Sequence, residues 1–171
     1  IDRNMIMDFL ADGKGYPTGS SMYPSFSKYF RPELVDRYTY DPEIAKEILT
    51  KAGYPDGFEM TISVPSNYKP HVDTAEVIAE QLKAVNIKAS IELVDWSTWL
   101  NRVYSGRDFQ TTIIGLDAAV MSPRAMLERF VSDYGSNFIN FKNEEYDRLF
   151  REAITTADDA HSVELYGQLQ T

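Results

Sequence analysis

The 171-residue chain holds 26 acidic and 17 basic residues, a formal net charge of -9, which argues against a surface built to grip phosphate backbones. It has no cysteine, so disulfides, thiolate nucleophiles and cysteine-ligated metals are excluded. Hydrophobic residues make up 43% and charged residues 25%, which suits one globular core, and no apolar run is long enough to span a bilayer.

In chain order, residues 1–10 read as a helix, with Ile6, Phe9 and Leu10 apolar. The opening Ile1-Asp2-Arg3 reads as mid-element, so the missing leader pattern says nothing about compartment. Residues 11–40, rich in Gly, Pro, Ser and Tyr, read as a long loop. Residues 42–52 carry both ends of a helix. Asp41 is placed to cap it, Pro42 fits its first position, Lys51 suits its last turn and Gly53 its left-handed stop.

Alternation predicts strands over 58–64 and 87–94, and residues 109–114 read as a third strand. Ala75, Ile78, Ala79 and Leu82 predict a helix over 73–84. Asp95 or Ser97 caps a short helix through Tyr104, closed by Gly106. Helices follow at 123–130, 143–155 and 158–170, the last two capped by Asn143 and Asp158. Strands alternating with helices predict right-handed crossovers and an α/β layer. Ligands then gather beyond the carboxyl ends of the strands, at residues 65–70, 95–99 and 115–122.

Catalytic constellations are scarce. His71 and His161 are the only histidines, and they share no metal-ligand spacing. His161, in a charged helix, reads as solvent-exposed. There is no phosphate loop and no nucleophile elbow. The acidic pairs Glu144-Glu145 and Asp158-Asp159 fall at helix starts, where dipole and capping explain them. Asp2-Arg3 is an ion pair or a surface accident. Asp117 follows a strand end and serves either a ligand or its own turn. Trp96 sits at a strand-to-helix corner, as a core residue or as a flat face for a ligand. Trp99 reads as core on the other side of that turn.

Several blocks, in register, resemble the family-5 solute-binding proteins of ABC importers. They are Ile1 to Ile6, Pro17 to Pro24, Asp41 to Gly57, Ala79 to Ile87, Asp95 to Gly106, Asn143 to Leu149 and Tyr166 to Gln170. The resemblance implies an α/β periplasmic-binding-protein-like lobe, a mixed and mainly parallel sheet flanked by helices. It implies that residues 1–171 form a single domain, the C-terminal lobe of a two-lobed receptor, with the N-terminal lobe absent. It further implies non-catalytic capture of a peptide or oligosaccharide at the periplasmic or extracellular face of the membrane. The partners are ABC permease subunits, no cofactor is needed, and a lipid-anchored parent fits.

Carried over position by position, Trp96 matches a pocket tryptophan, and Ser66 and Asn67 stand where polar ligand contacts lie. Tyr23, Leu116, Asp117 and Ala119 complete the ligand-binding candidates. Three positions depart from the pattern. Leu116 replaces a tryptophan, Ala119 replaces the aspartate that holds a peptide's ammonium, and Ser122 replaces the aspartate of an Asp-Pro pair. The missing carboxylate favours a neutral oligosaccharide stacked on Trp96, or an unusual peptide. Two alternatives stand beside transport: a ligand sensor without a permease, and a small α/β hydrolase acting through Asp117.

Overall fold

Residues 1–116 and 120–171 are described by the computed structural model. They divide into two units, Ile1–Pro17 with Thr39–Gly115, and Thr18–Tyr38 with Leu116–Thr171.

The first unit opens with helix α1 (Arg3–Ala11), capped by Asp2, whose side chain accepts from the Met5 amide. Asp2 therefore has a structural role as the cap of α1. Helix α2 (Pro42–Lys51) begins as its residues dictate. Asp41 accepts from the Glu43 and Ile44 amides at 2.9 and 3.0 Å, and Pro42 needs no donor in the first turn. At its far end the Tyr54 amide reaches the Leu49 carbonyl at 2.8 Å and the Gly53 amide reaches Thr50 at 3.1 Å. Gly53, at φ 90°, makes that left-handed turn. Neither α1 nor α2 buries a side chain, and Phe9, Ile44 and Ile48 remain exposed.

Strand β1 (Glu59–Pro65) pairs in parallel with β2 (Lys88–Val94) and with β3 (Thr111–Thr112). The order is β2-β1-β3, and every pairing among the described residues is parallel. The third strand is shorter than the expected 109–114. Next to its ladder the Gln110 side chain, at 2.6 Å, takes the Thr61 amide that a longer strand would have used.

Helix α3 (Lys69–Lys83) covers one sheet face, where Ile62, Val64 and Ala75 form the core with Val72, Ile78 and Ile91 against it. It starts one turn before the apolar spacing begins. Pro70 lies in the first turn, where its missing donor costs nothing. Over the other face runs helix α4 (Trp96–Thr98), continuing as a π-helical turn over Trp99–Ser105 that the sequence does not announce. Asp95, not Ser97, is its backbone cap. Gly106 stands at φ -79°, and the left-handed stop is taken by Arg107 at φ 55°, with the Asp108 amide reaching the Arg102 carbonyl at 3.0 Å.

Arg102 fastens this turn to the sheet. Its Nη1 donates to Glu92 Oε1 at 2.8 Å and its Nη2 to Oε2, while Ser63 Oγ donates to the same Oε2 at 2.8 Å. The Arg102 hydrogen bonds, then that of Ser63, lower the Glu92 carboxyl from 4.5 to about 2. A carboxyl lowered by folding stabilises above its unfolded value and loses that contribution as pH falls from 4.5 towards about 2. The Glu92 side chain is 39% exposed, so solvent screening reduces the effect to about 1 kcal/mol. Urea unfolding at neutral and acid pH checks this: Glu92→Gln is expected to flatten the acid loss by about that amount.

The second unit is helical. Helix α5 (Pro123–Leu127) is capped by Ser122, which accepts from the Ala125 amide at 3.2 Å, and continues as a 3-10 turn over Glu128–Phe130. Asn143 caps α6 (Glu144–Thr155), and Asp158 caps α7 (Asp159–Gln168). Met22, Leu127, Leu149, Phe150 and Leu165 form the core, and Tyr29 meets Tyr166 edge-on at 5.6 Å. Asn137, fully buried, donates to the Val131 and Phe141 carbonyls at 3.0 and 2.7 Å, tying the loop before α6. His161, read as solvent-exposed, is only half-exposed: its Nε2 lies 2.8 Å from Glu152 Oε1, linking α7 to α6.

Candidate functional site

In the first unit the carboxyl ends of β1 and β2 bring together the residues expected there. Ser66 and Asn67 leave β1 exposed, and the Ser66 amide donates to the Val94 carbonyl at 2.8 Å, holding the two outlets side by side. Asp95 accepts from the Thr98 amide at 3.0 Å and from the Ser97 and Thr98 hydroxyls at 2.6 and 2.5 Å. The two hydroxyls, then the Thr98 amide, hold its carboxyl far below the usual range, so the corner is fixed by a permanent carboxylate.

That corner presents Trp96. Its ring stacks on Trp99 with centroids 5.2 Å apart and planes within 2°, and meets Tyr68 edge-on at 5.4 Å. Trp99 is core, as expected, at 2% exposure, and its Nε1 donates to Thr112 Oγ1 at 3.0 Å. It does not lie on the opposite side of the turn. Residues three apart on a helix share a face, and a helix beginning at Trp96 stacks the two indoles. Trp96 is 37% exposed, so a rigid buried indole backs a half-open one.

The neighbours Tyr68 and His71 were not among the sequence candidates. Tyr68 is exposed and precedes α3, and its ring lies 5.2 Å from that of His71. Their signal was position alone: both follow a strand end by a few residues. The wall they form with Trp96 is aromatic. Its nearby charges Lys69 and Asp73 pair with each other at 2.7 Å.

In the second unit, Tyr23 and Leu116 line a groove of about 230 Å³ with Met22, Met121, Met126 and Phe130. Three thioethers give it walls that adapt to differing apolar shapes. Gln170, also in the lining, fixes one wall. Its Oε1 accepts from the Met22 amide at 2.6 Å, and its Nε2 donates to the Tyr29 and Tyr166 carbonyls at 3.1 and 2.8 Å. The methionines were not singled out from sequence, because Met22, Met121 and Met126 share no local periodicity. Asp117 and Ala119 lie outside the described residues.

Among the described residues no three His, Asp or Glu side chains cluster to hold a metal. Ser63 is buried and donates its hydroxyl to Glu92, which pairs with Arg102, so it links the sheet to the turn above it.

Residues 1–138 match the family described as bacterial extracellular solute-binding proteins, family 5 Middle. The chain belongs to this family. Among family-5 relatives, the Di/tripeptide-binding protein 1 of Pseudomonas aeruginosa (strain UCBPP-PA14) is 28% identical over 99% of this chain and 32% of its own length. The Heme-binding protein A of Haemophilus influenzae is 30% identical over 99% of this chain and 32% of its own length. A solved dipeptide binding protein from Pseudoalteromonas sp. SM9913, in complex with Met-Leu, superposes with a TM-score of 0.84 at 27% identity, covering 99% of this chain and 34% of that one. The α/β fold is therefore that of periplasmic binding proteins, and the relatives are binding proteins, not enzymes. The chain spans about a third of the length of the curated relatives it matches. No helix among the described residues is long and apolar enough to cross a membrane.

Proposed function

We propose that this chain is the C-terminal lobe of a two-lobed, non-catalytic receptor that captures a small solute outside the cytoplasm for an ABC importer. Residues 1–171 contribute one side of the solute site, and closure follows from tighter binding to the closed state. The observation that carries the reading is the Trp96 wall at the carboxyl ends of parallel strands, in a chain of the family-5 type. An open indole backed by a buried one offers a flat apolar surface without rearrangement, which keeps the cost of binding low.

Relatives named for dipeptides and tripeptides support a peptide as solute. Ser66 and Asn67 supply exposed polar groups at the outlet of β1 for a peptide backbone. The second reading is a neutral oligosaccharide, favoured by Ala119 standing where an ammonium-binding aspartate is expected. Thermal-shift screening of the complete two-lobed receptor with defined di- and tripeptides, neutral oligosaccharides and haem separates these. Stabilisation by peptides alone supports the first reading, and by oligosaccharides alone the second. Failure of every class rejects solute capture.

Trp96→Ala separates binding from folding. Half-exposed stacking contributes about 1 kcal/mol, so Tm is expected to shift by only a few degrees. Affinity for the stabilising solute is expected to fall about tenfold or more, measured by calorimetry.

A further inference from the structure

His71 stands half-buried in the first turn of α3, and its Nε2 accepts the Gly115 amide hydrogen at 3.1 Å. A ring nitrogen that accepts carries no proton, so the neutral imidazole keeps its hydrogen on Nδ1. That Nδ1 is enclosed, with no partner among the described residues. Gly115 is the last residue of the first unit. A Cβ on it would stand 3.3 Å from His71 Nε2, a tight contact that the glycine avoids. The ladder between β1 and β3 stops at Thr112. Beyond it, the imidazole supplies a hydrogen bond to the strand's outlet.

We infer that His71 is a positioning residue: its neutral ring fixes, at Gly115, the point from which the chain leaves β3. The consequence for affinity rests on the solute-capture reading, while the bond itself rests on geometry alone. An imidazolium has two donors and no acceptor, so acidification releases Gly115. The surrounding polar groups are engaged elsewhere. Lys69 and Asp73 of the same helix pair with each other, the Tyr68 ring packs on Trp96, and at the β2 outlet Asp95 is held by Ser97 and Thr98.

The test follows the Gly115 amide by NMR hydrogen exchange, corrected for intrinsic pH dependence, from about pH 8 to about pH 5, where a histidine changes charge. His71 ring nitrogen shifts are read in parallel. In the native sequence, Gly115 protection is expected to fall about tenfold in step with ring protonation. His71→Gln, whose amide oxygen accepts at any pH, is expected to keep protection throughout, and His71→Phe to lack it throughout. With tri-alanine as probe, affinity is expected to fall with the same midpoint in the native protein and stay level in His71→Gln. Protection that ignores the ring titration overturns the bond. Release of Gly115 with unchanged tri-alanine affinity overturns the positioning role. If tri-alanine binds at no pH, the peptide reading fails, while the exchange data still decide the bond.

Discussion

Gly57→Ala is expected to destabilise the first unit by about 3 kcal/mol or more, while Gly53→Ala, four residues earlier, costs about 1 kcal/mol. Both glycines are left-handed, at φ 74° and 90°. An alanine in that region costs about 1–2 kcal/mol at either position. The difference lies in what a Cβ would meet. At Gly53 nothing stands within 4 Å, whereas at Gly57 the Asn86 carbonyl oxygen would be 1.9 Å away and its carbon 2.4 Å. These are backbone atoms, and Asn86 is itself left-handed at φ 62°, at the entry to β2. Relief therefore means moving the start of a strand. The Lys88 amide bonds the Phe58 carbonyl at 2.9 Å next to this contact, so the displacement strikes the first rung between β1 and β2. Urea unfolding of the two variants measures the gap. Equal losses at both positions would contradict the close approach at Gly57.

Gln170→Ala is expected to cost about 3 kcal/mol, and Gln168→Ala, two residues away on the exposed side, under about 0.5 kcal/mol. Gln170 is 6% exposed and makes three hydrogen bonds, to the Met22 amide and the Tyr29 and Tyr166 carbonyls. Truncation leaves those groups enclosed without their partner, which costs more than the bonds contribute net. Gln170→Glu keeps the acceptor for Met22 but loses both donors and buries a charge, so it is expected to be at least as damaging. Because Met22 and Tyr23 line the thioether groove, Gln170→Ala is also expected to raise hydrogen exchange at their amides, while α6 stays protected. Thermal unfolding and exchange on the three variants check this.

The elements legible in the sequence were those specified by neighbours in the chain. Asp41, Pro42 and Gly53 each act on the next few residues, and α2 formed between them as read. The caps Asn143 and Asp158 act the same way. Errors arose where a distant partner intervened. The length of β3 is tied to the Gln110 side chain bonding Thr61 across the sheet. The π-helical turn lies over the sheet, where Arg102 reaches Glu92 and Trp99 reaches Thr112. Neither pairing leaves a local pattern.

The same rule governs the candidate site. Trp96 was legible because a strand end, a cap and an aromatic residue fall together. Its stacking on Trp99 was not legible: Trp99 was expected across the turn, and the choice of Asp95 over Ser97 as cap, which sets the helix that stacks the two rings, stood open. Tyr68 and His71 were legible only as residues after a strand. Gln170 reaches back to Met22 at the far end of the chain, and nothing near either residue signals it.

The central claim is that the Trp96 wall receives the solute. The chain has two tryptophans, stacked on each other, so indole emission reports this wall and no other place. Titration with the peptide that stabilises the protein most is expected to give a saturable change in emission, with the midpoint found by calorimetry, and to lose it in Trp96→Leu. Calorimetric binding that leaves indole emission unchanged would place the solute elsewhere and contradict the account.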